Sequence, residues 1–389
     1  MNILFYQHQY PAFGGIETVT TLLANVFAKD GNNVLIVSFL GKEETSLLER
    51  LDNRIQCVRL PQTEIGSKHN QETLKRLVYE FAPDKIVLQD SYANIQYLLF
   101  DVLAEYRKKN NNVKLIVVEH SAPVWRITRR KKNISIGEFC RRMAYVLLKP
   151  YYSISRLRYE SRRRRELFDN ADAYVILSVN YKKYIRRLVG ESRLHKLYVI
   201  PNPTTGVDNI QKHKKNNVLF VGSLIPLKGV SRLLSVWKDV FTKHTDWEFL
   251  IVGDGVERPK LERKVEVESI QGVRFLGFHK DPTPYYVDAS LLLMASDFEG
   301  WPMVVGEAMQ NGCVPLVYDT FAAAHDMIDN GVNGMIIAPF QSDKFESALD
   351  YLMSNDTVRM KWSVSARRKA ANYAIDKVKS LWYELFEGL

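Results

Sequence analysis

With 389 residues, 46% of them hydrophobic and 11% aromatic, the chain can bury two sizeable cores, which excludes a disordered protein. Its three cysteines, Cys57, Cys140 and Cys313, are too scattered for a metal-ligand pattern or a disulfide framework, and they suit a reducing compartment. The net charge of +10 has one source: residues 126–165 hold 14 Lys and Arg against Glu138 and Glu160, a local net of +12 that leaves −2 for the rest.

The first element is a strand, Ile3 to Tyr6, which starts without the charged lead and long apolar run of a signal peptide. No segment has the length of apolar sequence needed to span a bilayer. A loop, Gln7 to Phe13, leads to Gly14-Gly15-Ile16-Glu17 and a helix from about Ile16 to Lys29. Paired glycines let backbone approach a ligand closely, and a helix start offers donors to an anion, although a tight turn explains two glycines equally well. Short apolar runs follow at Val34 to Phe39, Lys85 to Gln89, Val113 to Val118, Tyr174 to Ser178 and Leu197 to Ile200. They alternate with longer amphipathic stretches, the pattern of parallel strands joined by crossover helices. His120 ends the Val113 strand, a place where a histidine is most often a hydrogen-bonded structural residue. In the basic segment, 126–165, the charges interleave with Phe139, Tyr145, Tyr151 and Tyr152, with Trp125 just ahead. That mixture suits an anionic membrane surface, where each Lys or Arg is worth about 1 kcal/mol, and four such contacts are expected from Arg162 to Arg165. The plainer reading is a solvated helical face; nucleic acid is disfavoured because no nucleic-acid module is visible.

Two prolines in Pro201-Asn202-Pro203, then Thr204-Thr205-Gly206 and a Lys-rich stretch to Asn217, read as a linker. The second half repeats the alternation, with strands at Val218 to Val221, Phe249 to Val252, Val273 to Leu276, Leu291 to Ala295, Val314 to Tyr318 and Met335 to Ile337. Open parallel sheets bind ligands beyond the carboxyl ends of their strands, and every distinctive loop here lies at such an end. Gly222-Ser223 and Lys228 follow the first of these strands, Gly253-Asp254-Gly255 is a turn, and Gly277-Phe278 follows the third. The most telling stretch is Ser296 to Asn311, with Glu299 and Glu307 on either side of a helix start. Pro302 suits the first helical position, so the amides of Met303, Val304 and Val305 should point out of a helix N-terminus able to hold a diphosphate without a metal. The spacing alone says little, because Glu72 and Glu80 are also eight apart on an expected surface helix. Nowhere do two aspartates stand one residue apart, the pair that would hold a divalent ion on a diphosphate. The last element, Tyr373 to Phe386, reads as an amphipathic helix.

At Glu299, Gly300, Pro302, Glu307 and Ala308, with Gly312 and Pro315 beyond, the chain closely resembles the retaining glycosyltransferases of family 4. Pro11, Gly14, Gly15, Glu17 and Gly31 follow the opening pattern of that family, while Asn32 stands where a His is common. The resemblance implies an α/β protein of the GT-B fold, two doubly wound Rossmann-like domains facing each other across a cleft. The expected parts are an acceptor-side domain over 1–205, a nucleotide-sugar domain over 206–370, and a helix over 371–389 that crosses back to the first. By the same resemblance Glu299 holds the donor sugar and Glu307 the ribose, and Lys228 with the Met303 and Val304 amides holds the diphosphate. His120 contacts the donor sugar from the first domain, the Gly14-Gly15 loop completes the site, and the Gly222-Ser223 and Gly300 turns shape it. The loop at Phe278 covers the nucleobase. Ser223 stands where many members carry an Arg, which removes one of two expected cations. The implied activity is metal-independent, retaining transfer of a hexose or N-acetylhexosamine, with no cofactor, from a nucleotide sugar to a glycan acceptor. UDP is favoured over GDP, the acceptor is expected to be lipid-linked or lipopolysaccharide, and the place expected is the cytoplasmic face of a membrane. A nucleotide-sugar epimerase on the same fold and an inactive glycan-binding protein are the alternatives.

Overall fold

A computed structural model describes residues 1–12, 14–41, 48–89, 94–123, 155, 157–204 and 214–389. Two parallel sheets organise them. The first takes β1 (Asn2–Gln9), β2 (Asn33–Leu40), β3 (Gln56–Arg59), β4 (Lys85–Leu88), β5 (Lys114–Glu119), β6 (Ala173–Ile176) and β7 (Leu197–Val199) in the order β3-β2-β1-β4-β5-β6-β7. The second takes β8 (Lys215–Val221), β9 (Glu248–Val252), β10 (Val273–Gly277), β11 (Ala289–Met294), β12 (Val314–Tyr318) and β13 (Met335–Ile337) in the order β10-β9-β8-β11-β12-β13. Every residue of β4, β11 and β12 is buried, which is why these strands read as unbroken apolar runs: helices cover both faces of the sheet. The fold is GT-B, two Rossmann-like lobes.

Strand order reverses beside the first strand of each sheet, between β1 and β4 and between β8 and β11. Loops at such a reversal splay apart and leave a crevice, so the ligand positions of both lobes follow from topology.

Three expectations need correcting. β3 went unread because Gln56–Arg59 is an edge strand with no buried residue and carries no apolar run. β8 begins at Lys215, inside the stretch read as linker, because pairing with β9 and β11 recruits its polar start. Its upstream neighbour Thr204 is pinned too, its N–H donating to the Tyr373 carbonyl at 2.8 Å.

The third correction concerns charge. Residues 126–154 and 156 of the basic segment lie outside the described residues; its remainder belongs to a helix over 157–170. In that helix Arg162 and Arg165 are exposed, but Arg163 and Arg164 are buried, so four membrane contacts are not available there. Arg164 forms a bidentate pair with Glu119 at the end of β5, both side chains only 1% exposed, and Tyr174 donates to the same carboxylate at 2.6 Å. A second acid, Glu160, meets Arg164 at 2.5 Å one turn earlier. Burying a charge is costly unless it is paired and hydrogen-bonded, and this guanidinium is both.

The last helix, Ile375–Glu387, buries Val378, Trp382, Leu385 and Phe386. Phe386 packs on Phe27 of the first lobe with ring centroids 5.5 Å apart, and its carbonyl accepts from Lys85 Nζ at 2.7 Å. Asn32 has a structural use in this contact, donating to the Tyr383 hydroxyl at 2.8 Å. Among the described residues no helix is long and apolar enough to cross a membrane.

Candidate active site

The second lobe builds its part of the site from strand-end turns. Gly222 and Gly253, at the ends of β8 and β9, take φ of +149° and +138°, values that favour glycine. A Cβ on Gly253 would lie 1.9 Å from the Gly222 carbonyl oxygen, so these turns pack backbone on backbone. Ser223 and Phe278 follow in the same cluster and are exposed. Arg258, the cation beside these turns, is held by Asp254 at 2.9 Å and Glu262 at 2.8 Å. It is the one cation beside these turns with two carboxylate partners among the described residues.

After β8 the chain makes a 3-10 turn, Pro226–Lys228, closed by Gly229 in the left-handed region at φ +68°. The Asp297 N–H donates to the Leu227 carbonyl at 2.8 Å, which fastens this turn to the loop after β11. Those two loops flank the reversal of strand order. As a result Lys228 Nζ lies 2.7 Å from Glu299 Oε1, with the side chains 27% and 14% exposed. The neighbouring pair, Arg232 with Asp297 at 2.5 Å, supports the same loop from below, where Arg232 also donates to the Ala295 carbonyl.

The helix after this loop runs Met303–Gln310. Pro302 precedes it rather than opening it: its ψ of 106° is extended, so it acts as the cap. Met303 and Val304 supply the first two amides; contrary to the sequence expectation of three, the Val305 N–H turns back to the Pro302 carbonyl at 3.1 Å and is not free for an anion. Glu307, in the second turn, accepts from the Tyr286 hydroxyl at 2.9 Å. Burial pushes its carboxyl above the usual range, opposed by that phenol and reinforced by the negative charge of Asp281.

The first lobe meets this structure closely. A Cβ on Gly300 would lie 1.8 Å from the His120 carbonyl oxygen, so only glycine lets the two lobes touch there. His120 Nε2 is 2.6 Å from Gln89 Oε1, at the end of β4. Burial pushes the imidazole pKa down to about 3, so the ring is neutral at neutral pH. With its proton directed at the amide oxygen, Nδ1 is an acceptor, and it has no partner among the described residues. Gly15 opens the first helix, Gly15–Lys29, with Gly14 extended just before it, and a Cβ on Gly15 would sit 3.9 Å from Met303 Cγ. Gly14, Gly15, His120, Glu299, Gly300 and Met303 therefore border one interlobe surface, with Lys228 behind Glu299.

Cross-lobe contacts unsuspected from sequence complete the junction. The Tyr181 hydroxyl donates to the Gly300 carbonyl at 2.7 Å, and Asn180 Nδ2 donates to Asp326 at 2.8 Å. No local pattern marks Tyr181 or Asn180; their partners lie more than a hundred residues away. Among the described residues, no group of three or more His, Cys, Asp or Glu is placed to hold a metal ion.

Residues 206–369 match the family described as Glycosyl transferases group 1. The match covers the second lobe. An "Uncharacterized glycosyltransferase" of Haemophilus influenzae is 24% identical over 98% of this chain and 98% of its own length. The Campylobacter jejuni GalNAc-alpha-(1->4)-GalNAc-alpha-(1->3)-diNAcBac-PP-undecaprenol alpha-1,4-N-acetyl-D-galactosaminyltransferase is also 24% identical, over 96% of this chain and 94% of its own. Anabaena HepE, solved in complex with UDP and glucose, superposes with a TM-score of 0.76 at 16% identity, covering all of both chains. The matched region holds Lys228, Glu299, Met303, Val304 and Glu307, and the first lobe faces it with His120 and the Gly14-Gly15 turn.

Proposed function

We propose that the chain transfers a hexose or N-acetylhexosamine from a nucleotide sugar to a glycan acceptor, with retention at the anomeric carbon and without a divalent ion. The acceptor class we favour is a lipid-linked glycan or lipopolysaccharide intermediate of bacterial surface polysaccharide synthesis, and the favoured nucleotide is UDP. The reading is carried by the Lys228–Glu299 contact at the reversal of strand order, next to the start of the Met303–Gln310 helix. A departing diphosphate there meets an ammonium and two helix amides, and fixed charges aimed at developing negative charge are the strongest catalytic device of this kind. Glu299 has a second oxygen to offer a donor-sugar hydroxyl, while its first holds Lys228 in place. Glu307, oriented by Tyr286, would meet the ribose, and His120, whose carbonyl abuts Gly300, would approach the donor sugar from the first lobe. UDP release from a UDP-sugar, followed with and without crude glycan acceptor, tests the reading. Acceptor-dependent release is expected to fall about 100- to 1,000-fold in Lys228→Ala, the scale set by losing one such stabilising group. Release without transfer, or full activity in that variant, refutes it.

A further inference from the structure

We propose that two adjoining cavities beside the cleft form an acceptor subsite, one taking a sugar ring and the other a phosphate or diphosphate ester on the same acceptor. The proposal rests on the transferase reading and names its acceptor class: a glycan carried on a phosphate ester.

The first cavity, of about 270 Å3, lies between the lobes. Tyr181 and Tyr184 line it from the first lobe, and Thr320, Phe321 and His325 from the loop after β12. Tyr181 is the residue that bonds the Gly300 carbonyl, so this chamber shares a wall with the loop carrying Glu299. Aromatic faces with a few polar groups are the usual lining of a small-molecule site, and they suit a sugar ring, which has both C–H faces and hydroxyls.

The second cavity, of about 400 Å3, is lined by Val179, Lys182, Lys183, Arg186, Leu194 and Leu197, with Asn180. Asn180 and Lys183 line both cavities, so the two adjoin across these side chains. The cationic face comes from the amphipathic helix Lys182–Val189, which buries Ile185, Leu188 and Val189 and turns Lys182, Lys183 and Arg186 outward. None of the described lining residues is acidic. Among the described residues Arg186 pairs with one carboxylate, Glu191 at 3.0 Å, but both side chains are more than 60% exposed and such a pair holds weakly. Three cations over an apolar floor of Val179, Leu194 and Leu197 fit a phosphate ester whose other substituent is a hydrocarbon chain. The order of the cavities places the sugar toward Glu299 and the phosphate away from it, as transfer to the sugar end requires.

Calorimetric titration of the full chain, saturated with UDP to occupy the donor site, tests this. Three probes separate the sources of phosphate: inorganic pyrophosphate, farnesyl-diphosphate-linked N-acetylglucosamine, and vesicles of phosphatidylglycerol. The sugar-bearing probe is expected to bind more tightly than pyrophosphate. Lys182→Ala/Lys183→Ala/Arg186→Ala should weaken both at least tenfold, and Tyr184→Ala only the sugar-bearing one. Arg162→Ala/Arg165→Ala/Arg187→Ala removes as many exposed cations outside the cavity and should leave both unchanged. The proposal is overturned if the two triple variants behave alike, or if the cavity triple variant loses only vesicle binding. All these changes are on exposed or cavity-lining side chains, and an unchanged melting temperature confirms folding. UDP stabilisation of the chain is a separate readout: its absence in the unmodified protein counts against the transferase reading, and its presence with unaltered probe binding counts against the subsite alone.

Discussion

Two cation–glutamate pairs in this molecule look alike in sequence and differ in use. Lys228 and Glu299 meet in a partly open crevice, 27% and 14% exposed; Arg164 and Glu119 meet in a sealed core, each 1% exposed. The open pair leaves carboxylate and ammonium capacity for a ligand, whereas the sealed pair spends all of it internally, on Tyr174 and Glu160 as well. Exposure, and not charge, separates a site from a strut. The strut still bears on the site, because Glu119 directly precedes His120 and Arg164 fixes the end of β5.

The comparison can be broken most sharply at the sealed pair. Arg164→Ala leaves a carboxylate buried without its partner, and the expected loss is about 3 to 5 kcal/mol, read by denaturant unfolding. Arg164→Met/Glu119→Leu removes both charges and should recover much of it. If the single variant is as stable as the parent, the pair is not a strut. At the open pair the order inverts: Glu299→Gln should cost activity about 100-fold or more, in parallel with Lys228→Ala, yet shift stability by less than about 1 kcal/mol, as partly solvated pairs do. A variant that unfolds instead would place Glu299 with the struts.

A smaller effect comes from His120. Its folded pKa, near 3, lies below the ordinary value of 6.5. Between those values the unfolded chain binds more protons than the folded one, so this group's contribution to stability is complete above pH 6.5 and is lost as pH falls toward 3. His120→Gln should flatten the stability–pH slope in that window; an unchanged slope would mean the ring is not buried in solution. The smallest effect is at Arg162 and Arg165. Changing both to Ala should leave folding within about 0.5 kcal/mol, and, if the sequence expectation of an anionic membrane surface holds for these two, each should add about 1 kcal/mol to anionic-vesicle binding. Unchanged pelleting with such vesicles would reject that contribution.

The second lobe was more legible in sequence than the first. Its strands are buried runs such as Leu291 to Met294, and Lys228, Glu299, Gly300 and Glu307 stand at strand ends or a helix start, where local pattern and function coincide. The first lobe hid more, for physical reasons. β3 is an edge strand without a buried residue, and the inward turn of Arg163 and Arg164 depends on which face of their helix meets β5 and β6, which a charge count cannot tell. Thr204, read as linker, is held by Tyr373, and Gly300 must be glycine because of His120, 180 residues earlier; such contacts exist only once the lobes have met.

The central claim is that a side-chain ammonium and a helix start, with no divalent ion, grip the leaving diphosphate. Calorimetry of UDP binding in the presence of excess EDTA, on the parent chain and on Lys228→Ala, tests it most directly. The account predicts an affinity indifferent to the chelator and at least tenfold weaker in the variant. Binding abolished by EDTA, or untouched by the substitution, would contradict it.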